Sequence, residues 1–161
     1  MLMQIDKIGS LHFLAEFVGE ACKNKSGVPL TCKYYLFFTR ANNPLECGFG
    51  PLCHLGGEID YIGKTALQRI ANIGPTQRLS GVRFGGGKAP PCSKPFPLTT
   101  LAGEEVGQIT SGIFSPRFDC NIGLSMIARS HWDIGTSLMV NTPDGIARRA
   151  SVTALPFTHD G

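Results

Sequence analysis

Apolar residues come in short bursts along the second half of the chain, each closed by glycine, proline or aspartate. The stretch that organises the rest is Gly107 to Ile127, GQITSGIFSPRFDCNIGLSMI. Val106, Ile109 and Ile113 are interleaved with small and polar residues. Ser115-Pro116 then breaks the ladder, because proline has no N–H to donate and fixes φ. Ile122, Leu124 and Met126 alternate with Asn121, Gly123 and Ser125, a period-2 pattern that predicts a strand with Ile122, Leu124 and Met126 on its buried face. A loop pinned between two such strands would hold Arg117 and Asn121 in place. Further strands are expected at Leu79–Phe84, Phe96–Leu98, Glu105–Thr110, Ser137–Asn141 and Arg149–Leu155, separated by Gly85-Gly86-Gly87, Ala102-Gly103, Gly135 and Pro143-Asp144-Gly145. Six short strands at this spacing predict a mainly β fold, a small Greek-key barrel or sandwich, preceded by helical and loop segments. Trp132, between two strands, is expected to cover one barrel end.

Upstream the period changes. Within residues 59–75, Ile62, Ala66, Leu67, Ile70 and Ile73 mark one side of a helix, with Gly74 and Pro75 as its stop. Lys64 and Arg69 read as its solvated face. Ser10 could cap a shorter helix bearing Leu11, Leu14, Ala15, Val18 and Ala21. Residues 39–58 are turn-rich and read as loop. The run from 26 to 38 shows no alternation and fits no element.

Composition narrows the function classes. The chain has 161 residues, with 20 glycines and 11 prolines, which favours a turn-rich β domain. Its net charge is +3 and the basic residues are scattered, so the dense stripe of a nucleic-acid binder is missing. No run reaches the ~18 apolar residues of a membrane span, and no secretory leader is read at the start, so a cytoplasmic protein with reduced thiols is expected. The six cysteines are irregularly spaced. Cys47, Cys53 and His54 lack the paired spacing of a structural zinc site, and packed thiols are the simpler reading. A nucleophilic role for Cys47 or Cys53 would need a base, for which His54 is the nearest candidate. Gly85–Gly87 lacks the Lys-Ser/Thr and helix of a phosphate loop and reads as a turn.

Three motifs carry a resemblance that goes further. IDYIGKTAL, VGQITSGIFSPRFDCNIGLSMI and the closing ASVTALPF are similar to the C-terminal part of the glycine-cleavage T-protein (aminomethyltransferase) family. TRANNPLECGFGPLC, PPCSKPFPL and SMIARSHWDIGTSLMVNTPDG bring the match towards the dimethylsulfoniopropionate demethylase branch. The resemblance runs from Thr39 to Phe157, about three quarters of the chain. It implies a small six-stranded Greek-key β-barrel from 76 to 161, a remnant of the family's middle domain with its linking helix at 39–75, and a poorly matched, frame-disrupted or novel segment at 1–38.

The resemblance implies a parent enzyme that moves a one-carbon unit to N5 of tetrahydrofolate, the S-methyl of a sulfonium in the demethylase branch. It places Arg117 and Glu46 in motifs that border the family's central folate hole, while surface and loop-anchoring contacts explain the same residues as well. The family's catalytic aspartate has no counterpart here, so no catalytic residue and no metal ligand is carried over. The expected function is a fragment inactive by itself. The rivals are an assembly module that completes a split enzyme with a separately encoded folate-binding domain, and a fragment of a plain glycine-cleavage aminomethyltransferase. Left bare, the apolar helix stripe would also favour self-association.

Overall fold

The computed structural model describes residues 42–158. The helix expected after Ser10 and the run at 26–38 lie outside them. A loop with a 3₁₀ turn at Gly50–Leu52 leads to helix α1 (Lys64–Ile73). Six strands follow: β1 (Gln77–Phe84), β2 (Phe96–Thr99), β3 (Glu105–Ser115), β4 (Cys120–Ala128), β5 (Ser137–Asn141) and β6 (Ala147–Thr153). They close into an antiparallel barrel in the order β1-β4-β3-β2-β5-β6. β2, β3 and β4 form a meander, and β4 returns beside β1, the Greek-key arrangement that the strand spacing predicts. Every expected strand is present. β3 and β4 are longer than expected because the hairpin keeps its ladder up to Ser115↔Cys120.

The interior is filled by Val82, Phe84, Phe96, Leu98, Val106, Ile109, Ile127, Leu138, Val140, Ala150 and Val152, and Trp132 packs against them. Each of the larger side chains contributes about 1.5–3 kcal/mol by leaving water. In β4, however, the inward face is the opposite of the expected one. Asn121, Gly123 and Ser125 point inward, opposite Phe84, Val82 and Ser80 of β1, whereas Ile122 and Leu124 are half-buried on the outside; Met126 is buried as expected, but apart from the core cluster. The reason is space. A Cβ on Gly123 would lie 2.7 Å from Ile109 Cγ2, so the interior accepts only a hydrogen there. The outer apolar face is partly covered as well: a Cβ on Gly81, which pairs with Leu124, would meet Phe157 and Leu155 at 3.0 and 3.1 Å. In β3 a bulge between Ile109 and Ser111 buries both Ile109 and Thr110, which breaks the alternation.

Helix α1 is shorter than the 59–75 pattern. Asp60 Oδ1 accepts the Tyr61 N–H, and Gly63 takes a left-handed φ of 92°, so the chain turns before it coils. Gly74, with φ 83°, ends the helix as expected. None of its residues is buried. Lys64 is not simply solvated: its ammonium donates to the carbonyls of Gly57 and Ile59, and Gln68 donates to Leu55 O at 2.8 Å, so the preceding loop is stapled along the helix.

Candidate functional site

The two residues that the family motifs nominate sit near opposite ends of β1. Glu46 is 5% exposed and works at the start of that strand. Its carboxylate accepts from Thr76 Oγ1, Gln77 Nε2 and the Asn43 N–H, each at 3.3 Å, and its carbonyl accepts the Leu79 N–H at 2.7 Å. Asn43 Oδ1 in turn accepts the N–H groups of Leu45 and Glu46 at 3.1 Å, a local turn that asparagine favours. Glu46 therefore ties the 42–49 loop to the barrel. Arg117 lies in the β3–β4 hairpin, exposed, about 20 Å away at the strand's 3.3 Å rise per residue. Its guanidinium stands 5.3 Å from the Phe118 ring, and Arg83 of β1 stands 5.0 Å from the same ring. Phe118 leans on Phe157 at 6.3 Å, so the hairpin is anchored to the C-terminal segment.

Asn121 is held in the hairpin strand as expected, but inward. Its Nδ2 donates to Phe84 O (3.2 Å), Gly85 O (3.3 Å) and Gly87 O (2.6 Å), and its Oδ1 accepts the Ala89 N–H at 2.9 Å. One amide thus holds the Gly85–Gly87 turn across the barrel end. Beside it, Arg148 is buried within the β5–β6 hairpin and pairs with both oxygens of Asp144, at 2.9 and 2.7 Å. Hydrogen bonds from Arg148 and then Thr142 hold the Asp144 carboxyl well below the usual carboxylate range. The sequence shows Arg148 only as part of a basic pair, because its partner Asp144 meets it across the β5–β6 turn.

The other end carries a joint that sequence patterning did not reveal. Arg129 donates through Nε to Pro75 O at 2.8 Å and through Nη2 to Ile73 O at 3.2 Å. A guanidinium at a helix C-terminus satisfies orphan carbonyls and suits the helix dipole. A Cβ on Gly74 would lie 2.6 Å from that Nη2, the movable end of the Arg129 side chain, so it is the φ of 83° that favours glycine there. Arg78 stacks on Trp132 at 4.7 Å and donates to its carbonyl at 2.7 Å. Glu46 and Arg129 thus fasten the 42–76 segment to the barrel from two sides.

Cys47 and Cys53 are not activated as nucleophiles. Burial, and then the charge of Glu46, push the Cys47 thiol up to about 12. Burial also raises Cys53, whose Sγ donates to Phe49 O at 3.3 Å. Among the described residues no three His, Cys, Asp or Glu side chains converge as a metal site would require, and no described helix is long and apolar enough to cross a membrane. A shallow groove lies along α1, lined by Leu55, Gly56, Gln68, Ala71 and Asn72. Neither Glu46 nor Arg117 lines it, and it holds no charged group.

The family model for the glycine cleavage T-protein C-terminal barrel domain matches residues 78–158. A protein from Ruegeria pomeroyi named dimethylsulfoniopropionate demethylase is 44% identical over 108 residues, covering 67% of this chain and 29% of that protein. An aminomethyltransferase from Symbiobacterium thermophilum is 37% identical over 116 residues, covering 72% of this chain and 30% of that protein. The crystal structure of the glycine cleavage system aminomethyltransferase T from Bartonella henselae shares the fold, with a TM-score of 0.63 at 20% identity over 76% of this chain and 34% of that one. The chain thus spans about 30% of the length of the curated relatives it matches. A closed six-stranded barrel, coincident with the matched residues, places this chain in the glycine cleavage T-protein family, as its C-terminal barrel domain.

Proposed function

We propose that this chain is the C-terminal part of a tetrahydrofolate-dependent one-carbon transferase of the demethylase kind, one that passes the S-methyl group of a sulfonium to N5 of the folate. The observation that carries the proposal is the 44% identity to the Ruegeria demethylase, against 37% for the Symbiobacterium aminomethyltransferase. A sulfonium methyl is already electrophilic, so transfer demands alignment of sulfur, methyl and N5 and removal of the N5 proton. That alignment needs an enclosed site. The groove along α1 is open, and Glu46 and Arg117 stand too far apart to grip one ring system together. On this proposal the chain does not catalyse the transfer alone. Arg117 is the candidate folate-bordering residue at the hairpin, and Glu46 would act through the loop it anchors.

A second reading is favoured by the bare helix. The chain would serve as an assembly module that docks onto a separately encoded folate-binding domain and completes a split enzyme. A fragment of a plain glycine-cleavage aminomethyltransferase shares this architecture and differs in the one-carbon donor. Calorimetric titration of the purified chain with tetrahydrofolate, with and without dimethylsulfoniopropionate, separates these readings from a self-sufficient enzyme. We expect no heat and no methyl transfer. Micromolar binding with turnover would overturn the proposal.

A further inference from the structure

Beyond β6 the chain leaves the barrel ladder and crosses the outer side of β1. Val82 and Phe84 belong to the core, so Gly81 and Arg83, at the alternate positions, face outward. A Cβ on Gly81 would meet Phe157 Cε1 at 3.0 Å and Leu155 Cδ2 at 3.1 Å, so the bare glycine is the seat on which residues 155–158 lie. Among the described residues no backbone-to-backbone hydrogen bond ties these four down. Their place rests on side chains. Arg83 Nη2 donates to the Thr158 carbonyl, and the Phe157 ring leans on Phe118, with 6.3 Å between centroids and the planes tilted by 50°. Phe118 is also the ring at which both Arg83 and Arg117 stand, at 5.0 and 5.3 Å. Two guanidinium cations at one ring repel each other, so the frame around them has to fix their places. Arg83 adds little to that frame through its Nε, which is buried without a hydrogen-bond partner.

We infer that residues 155–158 are a positioning strap for the arginines of the β3–β4 hairpin. Phe157 sets the Phe118 ring by a tilted aromatic contact, a geometry that ring pairs favour. The Thr158 carbonyl sets the Arg83 guanidinium. Together they hold Arg83 and Arg117 where the hairpin presents them. Phe157 is then a positioning residue, acting on the group that Arg117 borders without touching it. That this group is a folate rests on the reading above; the placement of the two guanidinium groups does not. A leucine at 157 would keep apolar cover over Gly81 and lose the ring contact, whereas a tyrosine would keep both.

The full 161-residue chain would be treated with phenylglyoxal, which modifies arginine side chains, and each site followed by peptide mass spectrometry. Arg83, half-buried beside the strap, should label slowly, and the exposed Arg69 of α1 fast. Phe157→Leu should raise the Arg83 rate at least threefold relative to Arg69. Gly81→Ala, which crowds the strap from beneath, should raise it as well. Phe157→Tyr should stay within twofold of the wild type. Arg148, 3% exposed, should stay unlabelled in every variant, which a general loosening of the barrel would not allow. The Cδ protons of Arg117, read by NMR, should shift in Phe157→Leu and return in Phe157→Tyr, because they follow the Phe118 ring. An unchanged Arg83 rate in Phe157→Leu, a rise shared by Arg148, failure of the tyrosine variant to restore the rate, or an Arg117 signal indifferent to residue 157 overturns the strap. The folate reading fails separately: turnover by the chain alone would sink the fragment proposal and leave the strap standing, and an unmoved Arg83 would sink the strap and leave that proposal.

Discussion

Cys47 carries a thiol that the fold keeps protonated. Its value of about 12, against an ordinary 9.0, leaves roughly a thousandfold less thiolate at neutral pH than a free cysteine has. Iodoacetamide at pH 8 should therefore modify Cys47 only on unfolding, and peptide mass spectrometry reads this directly. Rapid native labelling of Cys47 would contradict the packed environment and reopen the thiol chemistry that the Cys47, Cys53 and His54 grouping suggests. Asn121 makes the second residue-level test. Its Nδ2 faces three carbonyl oxygens, so Asn121→Asp replaces a donor with an acceptor aimed at acceptors. Leaving such buried groups unmatched costs about 1–3 kcal/mol each. For a barrel of this size the thermal midpoint should drop by about 10 °C or more. A midpoint within 2 °C of the wild type would mean that the Gly85–Gly87 turn is held by something else.

At the scale of elements, the β5–β6 hairpin contains the most strongly perturbed carboxylate among the described residues. The folded-state value of Asp144 is depressed, so the stability it contributes is fully present above the unfolded value near 4 and is lost as pH falls through the folded value. The stability difference between wild type and Asp144→Asn should stay constant from pH 8 to 5 and narrow below about pH 4. Urea titrations at pH 7 and pH 2.5 check it; an identical difference at both would show that the pair does not depend on the carboxylate. This hairpin also shows what was legible in the sequence. Pro143-Asp144-Gly145 marks the turn, and Ser137–Asn141 reads as a strand with the observed bounds. What the sequence did not show depends on contacts across the barrel. The inward face of β4 is set by how little room Ile109 leaves at Gly123. The half-coverage of its outer face is set by Leu155 and Phe157, about 30 residues downstream in the chain. Period-2 patterning assumes one dry face, and a small barrel with a strap across it has nearly two. Likewise Arg117 and Glu46 belong to two motifs of one family pattern. Only the strand direction shows that β1 separates them.

Across the whole molecule, stability is unevenly distributed, and this ties the fold to the proposed assembly. The barrel closes on itself, so every strand has two hydrogen-bonded neighbours, and its core side chains Val82, Leu98, Ile109, Ile127, Leu138 and Val140 are fully buried. Opening any strand breaks two ladders and wets that core, so the barrel amides should exchange only through global unfolding. Helix α1 has no buried side chain and is held mainly by Lys64, Gln68 and Arg129. Its amides can open without disturbing a single barrel contact in the core. Hydrogen–deuterium exchange should therefore label peptides spanning 64–73 within seconds to minutes, while peptides from β1 and β4 stay protected for hours. Arg129→Ala should speed labelling of α1 further and leave β1 and β4 unchanged, because the guanidinium closes only the helix end. If α1 in the free chain is as protected as β1, its apolar side is already covered within this polypeptide, and the barrel and its leading segment form one closed unit with nothing left to dock.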